Sequence, residues 1–468
     1  MSDWTTATAI AADVAARRTT AAATIAACLD RVARLAPRLN AFTAVTAERA
    51  RARAAALDAS IAAGATPGPL AGVPFAVKNL IDVAGLPTLA GSRINRDHPP
   101  AAADAPLVAR LEAAGAILVG ARNMGEYAYD FTGENAHDGN CRNPHDLSRM
   151  AGGSSSGSGS AVGGGLVPLA LGSDTNGSIR VPASFNGVFG LKPTYGRLTR
   201  AGSFPFVSSL DHLGPLCRSV ADLAASYDAM QGYDPADPAC VDRPVEPVSP
   251  NLDTGVEGLR IATAGGYFRT GASADALAAL DAIAAALGVE RSVEIEDAAI
   301  ARSAAYVITT AEGAALHLSR LKTRPDDFDA DVRDRLIAGA LVPAAVVAQA
   351  QKFRRLYRAR VLALFDGVDA ILAPATPCVA PKIGEKTFVL DGVEMPVRPN
   401  IGLYTQPISF IGLPVVAVPV PTAPGRGDGL PIGVQVIAPP WREDIALRVA
   451  RALEARGVAR VLTPKLEA

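Results

Sequence analysis

The sequence predicts an α/β fold, a large mixed central sheet covered by helices on both faces. Three observations carry this expectation. Short apolar runs of strand length alternate with segments of helical periodicity. The runs are apolar on consecutive residues, as strands buried on both faces should be. With 468 residues and 49% apolar side chains, the chain can also bury a large core.

Taken in order, residues 4–62 are Ala-rich and place Ile10, Val14, Ile25, Cys28, Leu29 and Val32 at helical spacing. They predict two or three covering helices, which Pro/Gly-rich GATPGPLAG ends. The chain therefore divides into an N-terminal helical covering segment, 1–62, and an α/β domain, 63–468. VPFAVKNLIDV reads as a strand, APLVARLEAAG as a helix and AILVGARN as the next strand. GLRIATAG is a further strand, followed by a helix from about Ala274 to Leu287. The Pro-rich, polar stretch from about 240 to 257 reads as a surface crossing. Near the end, VDAILAPAT, LPVVAVPV and LPIGVQVIA are strand-like, and EDIALRVARALEARG predicts a closing amphipathic helix, apolar at 445, 449 and 453.

Charge and cysteine usage narrow the function. Lys plus Arg number 45 against 46 Asp plus Glu, a balance that favours neither nucleic acid nor an anionic membrane as partner. Five scattered cysteines without CxxC spacing point to a reducing, cytoplasmic compartment with no disulfides or structural zinc. MSDWTTATAIAADVAARR does not read as a signal peptide, and no run approaches the roughly 20 apolar residues of a spanning helix. A small-molecule partner is the expectation.

Residues 152–165, GGSSSGSGSAVGGG, could pass for a flexible linker. Their surroundings argue otherwise, because no charged residue occurs from Met150 to Ser173 and the following stretch carries only Asp174 and Arg180 before Lys192. A loop embedded in such apolar sequence must satisfy its own backbone, and Ser hydroxyls with Gly flexibility are suited to that.

Two serines compete as nucleophile. GSSSG fits the G-x-S-x-G pattern with Ser155 central, but a Gly/Ser tract produces that match by chance and no strand precedes it. Ser178 in GSDTNGSIRVPAS follows an apolar strand, and a turn there would aim the N–H groups of Thr175, Asn176 and Gly177 at one point, a nest for an oxyanion. The alternative is an ordinary turn with Ser178 as helix N-cap. A serine also needs a base. Only seven residues are lysine among 45 basic ones, and Lys78 lies between apolar neighbours. Burial lowers an amine's pKa and lets it accept a proton, which a guanidinium effectively cannot do. A snorkelling or ion-paired lysine is the alternative.

VPFAVKNLIDV, AGGSSSGSGSAV and GSDTNGSIRVPASFNGVFGLKPTYGRL resemble the amidase signature family, and the resemblance continues through SLDHLGP to LPIGVQVIAPP. Ser154 lies 24 positions before Ser178, the separation of the family's serine pair. The resemblance implies the amidase signature fold and a catalytic triad of Ser178 as nucleophile, Ser154 as bridging serine after a cis Gly153–Ser154 peptide, and Lys78 as base. It implies no cofactor. The chain departs from many relatives by reading DTNGS where they read DTGGS.

Within the family, TFVL through RPNIGLYTQPISFIGLPVVAVPV, TRAGSFPFVSSLDHLGP and APPWREDIALRVA look most like the 1-carboxybiuret hydrolase subgroup. That likeness implies hydrolysis of a small carboxylated urea or amide with ammonia release, by a homodimer that could carry a small accessory subunit. The alternatives are the glutaminase subunit of glutamyl-tRNA(Gln) amidotransferase and a catalytically silent binding or scaffold protein. A substrate carboxylate would call for an arginine fork, for which Arg197, Arg320 and Arg324 are the candidates. Tyr127, beside Asp130 in EYAYDF, is a further candidate to line the pocket. His137, Cys141 and His145 lack a recognised metal-ligand spacing, so no metal is expected, and QAQKFRRLYRAR reads as a solvated basic helix face.

Overall fold

Pro74–Lys78 pairs in parallel with Ile117–Arg122 on one side and with Leu169–Asp174 on the other. In the computed structural model, which describes residues 4–422 and 427–466, these strands belong to one 11-stranded sheet. From edge to edge the order is Phe42–Val45, Ile117–Arg122, Pro74–Lys78, Leu169–Asp174, His212–Cys217, Phe189–Lys192, Val415–Pro421, Pro431–Ile437, Ala370–Pro374, Ile261–Ala264 and Ser292–Val293. Pairing is antiparallel across the middle, from Leu169–Asp174 to Ala370–Pro374, and parallel among the three strands ending in Ile261–Ala264 and Ser292–Val293.

Strand side chains alternate between two apolar cores, which is why the strand sequences are apolar throughout. Phe75, Val77, Leu169 and Leu171 enter one core; Ala76 and Ala170 enter the other. The helix expected near 274–287 spans Ala274–Leu287, started by Ser273 accepting from the Ala276 N–H and stopped by Gly288 at φ 69°. Glu443–Ala455 buries Ile445, Val449 and Leu453 along one stripe. No single helix among the described residues is long and apolar enough to cross a membrane.

The N-terminal segment departs from the helical expectation. Its helices, Ala7–Ala15, Ala21–Leu39 and Ala47–Ala62, are joined by the strand Phe42–Val45, which pairs with Ile117–Arg122. Asn40, left-handed at φ 51°, ends the second helix and turns the chain into that strand. Four residues are too few for a periodicity to show, and only the long-range pairing makes them a strand.

Candidate active site

Lys78 is the last residue of its strand and has no solvent exposure. Its Nζ donates to Ser154 Oγ at 2.7 Å and to Ser173 Oγ at 2.8 Å. Burial pushes the amine down to about 7, against the upward pull of the Asp211, Asp174 and Asp130 carboxylates. Neighbouring parallel strands thus bring Lys78 and the serine-bearing loops together at their carboxyl ends, where open α/β sheets place their ligands.

Every residue from 152 to 165 is buried, so this tract is no linker. Ser154 follows Gly153 through a cis peptide. Ser155 Oγ donates to the Ser173 carbonyl at 3.0 Å and accepts from its N–H at 3.1 Å. The Ser158 and Ser160 hydroxyls bond the carbonyls of Leu171 and Arg142. A Cβ on Gly157 would stand 2.4 Å from the Ala41 carbonyl oxygen, so glycine is required for that approach. Contrary to the expectation, a strand, Asp146–Met150, does precede Ser155, but it belongs to a two-stranded hairpin with Arg142–Asn143 outside the central sheet, and the Ser155 hydroxyl is held by backbone on both sides. These facts remove the nucleophile-elbow reading.

Ser178 lies on the short loop between Leu169–Asp174 and the helix Arg180–Asn186, and it does not cap that helix through its side chain. Each residue before it is held. Thr175 Oγ1 donates to Asp211 at 2.6 Å, Asn176 Nδ2 to Thr309 at 2.9 Å, and Thr405 Oγ1 to the Asn176 carbonyl at 2.7 Å. Gly177, at φ 142°, packs where a Cβ would collide with Thr405 Oγ1 at 2.2 Å. Among the described residues, no backbone N–H from Thr175 to Ser178 donates to protein.

Ser178, Thr175 and Asn176 border a cavity of about 130 Å³ that Tyr129, Asp130, Arg335 and Arg398 complete. Asp130 abuts Gly153, which places the Ser154 loop against the cavity wall. The two arginines differ. Arg398 faces Asp130 at 2.8 Å and Glu134 and Asp331 at 3.3 Å. Arg335 donates to the carbonyls of Asp331 and Tyr129, stacks 4.0 Å over the Tyr129 ring and has no carboxylate partner among the described residues. Burial lowers its pKa, as expected for a cation short of countercharge.

The arginines expected from sequence lie elsewhere. Arg197 holds the Tyr227 hydroxyl and Glu246 and lines a separate surface cavity with Trp441. Arg324 pairs with Asp97 and Asp327, and Arg320 sits over the Phe204 ring. Tyr127 donates to Asn95 and packs tilted against the His317 ring, centroids 4.0 Å apart, instead of lining the cavity. Nearness in sequence to a pocket segment does not set the direction of a side chain. Ser173, Arg335 and Arg398 were missed; of these only Ser173, inside LALGSDTNGS, carried a local signal. His137 bonds Glu126 and His145 the Asn186 carbonyl, and no group able to hold a metal occurs among the described residues.

The fold is that of an α/β protein with a buried lysine–serine contact beside a cavity, and the comparisons place it among hydrolases acting on amide bonds. A family model described as Amidase matches residues 23–447, and the chain belongs to the amidase signature family. It is 56% identical over 423 residues to AtzE of Pseudomonas sp. (strain ADP), a 1-carboxybiuret hydrolase subunit, covering 90% of this chain and 92% of that protein. It is 38% identical to a glutamyl-tRNA(Gln) amidotransferase subunit of Anaeromyxobacter sp. (strain K), covering 95% and 94%. A solved structure of a vestigial protein complex, described as revealing the evolutionary origins of an s-triazine catabolic enzyme, superposes with a TM-score of 0.97 at 53% identity over 98% of this chain and all of that one.

Proposed function

We propose that the chain hydrolyses a small carboxylated urea or amide, such as 1-carboxybiuret, with release of ammonia. The observation that carries this reading is the buried Lys78–Ser154 contact beside the Ser178 cavity, with Arg335 on the wall of that cavity lacking a carboxylate. Ser178 Oγ attacks the substrate carbonyl. Its proton passes to Ser154 Oγ while Ser154 gives its own to neutral Lys78 Nζ; the N–H groups of the Thr175–Ser178 loop receive the oxyanion. As the tetrahedral species collapses, Lys78 returns a proton through Ser154 to the leaving nitrogen. Ammonia departs, and water then resolves the acyl-enzyme on Ser178.

Arg335 supports the substrate class. Its planar fork suits a carboxylate, and it forms no ion pair among the described residues, although Asp130 on the same wall acts on it at longer range, whereas Arg398 is already surrounded by acids. Asn176 lines the same cavity, where its Nδ2 bond to Thr309 Oγ1 fixes its side chain. The amidotransferase alternative rests on relatives at lower identity. A small accessory subunit belongs to the proposal, because AtzE is itself described as one subunit of its hydrolase.

The test is a substrate panel on the purified chain with ammonia as readout. Carboxylated ureas should lead by kcat/KM. Glutamine as best substrate, or activity only alongside a tRNA-binding partner, would reject the proposal in favour of the amidotransferase.

A further inference from the structure

Gln406 borders the Ser178 cavity, one position after a residue clamped to the nucleophile loop. Thr405 bonds the Asn176 carbonyl through its hydroxyl, and its own carbonyl accepts from Arg180 Nη1 at 3.1 Å. Packing on both sides of Thr405 therefore sets where Gln406 stands relative to Ser178.

The side chain is fixed as well. Arg302, on the helix Ala298–Thr323, donates from Nε to Gln406 Oε1 at 2.9 Å, and from Nη2 to the Pro399 carbonyl and to Asn400 Oδ1 at 2.8 Å each. A guanidinium carries donors only, so the amide must turn its oxygen toward it. The reverse orientation would set donor against donor and forfeit a charge-assisted hydrogen bond. Nε2 is thus the end turned away from Arg302. Among the described residues it donates to no protein atom, yet it is not sealed off: it is absent from the unpaired atoms that burial closes to solvent, and the space that Gln406 borders is the cavity. Its neighbours on the wall are committed elsewhere. Asn176 is tied to Thr309, the Tyr306 hydroxyl to the Pro399 carbonyl, and Asp130 to Arg398 and the Gly133 N–H.

We infer that Gln406 Nε2 donates to a second carbonyl oxygen of the substrate, beyond the one that Ser178 attacks, and so selects acylureas and biuret-type acids over simple ureido acids. The inference rests on the proposed hydrolysis of a carboxylated urea or amide: Ser178 takes one carbonyl and Arg335 the carboxylate, which leaves this neutral donor for a further acceptor. A C=O at that place gains a bond, a CH2 leaves the N–H unpaired, and an amine would oppose donor to donor. Arg302 touches no substrate; it is a positioning residue that keeps the amide from turning.

Two acids of one skeleton test it. N-Carbamoylmalonamate and 3-ureidopropanoate share a terminal ureido group and a carboxylate, and differ in having C=O or CH2 between them. The readout is the ratio of their kcat/KM values, measured by ammonia release and compared between variant and parent, so that intrinsic reactivity and any loss of folded enzyme cancel. Gln406→Met should lower the ratio by about 3–10-fold, the range for one neutral hydrogen bond. Gln406→Glu keeps a partner for Arg302 and should lower it too, which guards against a Met variant that fails to fold. Arg302→Met should also lower the ratio, and Arg302→Lys, still able to donate to Oε1, should restore most of it. A ratio that stays at the parent's value in both Gln406 variants overturns this inference and leaves the substrate reading standing. A ratio unmoved by Arg302→Met overturns the orienting role. A parent chain that prefers glutamine to both acids overturns the substrate reading and this inference with it.

Discussion

Asp174 and Arg180 form a two-point ion pair, Oδ2 to Nε and Oδ1 to Nη2 at 3.0 Å each, with neither side chain exposed to solvent. They stand at the two ends of the loop that carries Ser178. Burial would raise the Asp174 carboxyl, but Arg180 holds it well below the usual carboxylate range. The guanidinium is further bonded to Gln435, Ser409 and the Thr405 carbonyl, so the loop is tied to elements more than 200 residues away.

Asp174→Asn should therefore leave a buried guanidinium without its counter-charge. Breaking one side of such a pair costs about 3–5 kcal/mol. Denaturant titration should show that loss, and a stability within about 1 kcal/mol of the parent would mean that the pair is not what holds the loop.

Lys78→Arg puts a permanently protonated group where the proton acceptor stood. Turnover should fall by about 10²–10⁴-fold, with circular dichroism unchanged. Lys78→Met serves as a second variant in case the guanidinium is too large for the site; retention of most activity in either would end the relay.

The same residue sets a pH dependence. With Lys78 near 7, kcat/KM should rise with pH through about 7 as the amine becomes neutral. An unfolded lysine titrates near 10.4, so between about 7 and 10.4 the folded state binds fewer protons than the unfolded one, and stability rises with pH across that window. Lys192, buried and also lowered to about 7, acts in the same sense. A pH–rate profile flat from about 6 to 9 would contradict the assignment.

Ser178 should become covalently modified by a phosphonate or a slow amide. Intact-mass and peptide mapping are expected to place the adduct on Ser178, whereas an adduct on Ser155 would require its two bonds to Ser173 to break first.

Arg335→Gln should lower kcat/KM for a carboxylated substrate by about 10–100-fold, the range for a hydrogen bond to a charged group, and leave an uncharged amide of similar size nearly unaffected. Equal losses on both would assign Arg335 to holding Tyr129 and Asp331 rather than to the substrate.

Lys78 and Ser178 became candidates through local context, a lysine between apolar residues and a turn after a buried strand, whereas the Gly/Ser tract alone pointed to Ser155 and Ser154 was implied only by the family resemblance. Asp174 and Arg180 were legible in the same way, as the charges in an otherwise uncharged stretch. The strands Pro74–Lys78, Ile117–Arg122, Ile261–Ala264, Ala370–Pro374, Val415–Pro421 and Pro431–Ile437 followed from continuous apolar runs and the helix Glu443–Ala455 from its periodicity, whereas the central strands Phe189–Lys192 and His212–Cys217 were not anticipated. The edge strand Phe42–Val45, the Ser173 contact to Lys78 and the placement of Arg335, rather than Arg197, Arg320 or Arg324, on the cavity wall were decided only by tertiary structure. The chain has many arginines, and their patterns in sequence are alike; what separates them is which carboxylates long-range packing brings into contact, leaving Arg335 on the cavity wall with no ion-pair partner among the described residues.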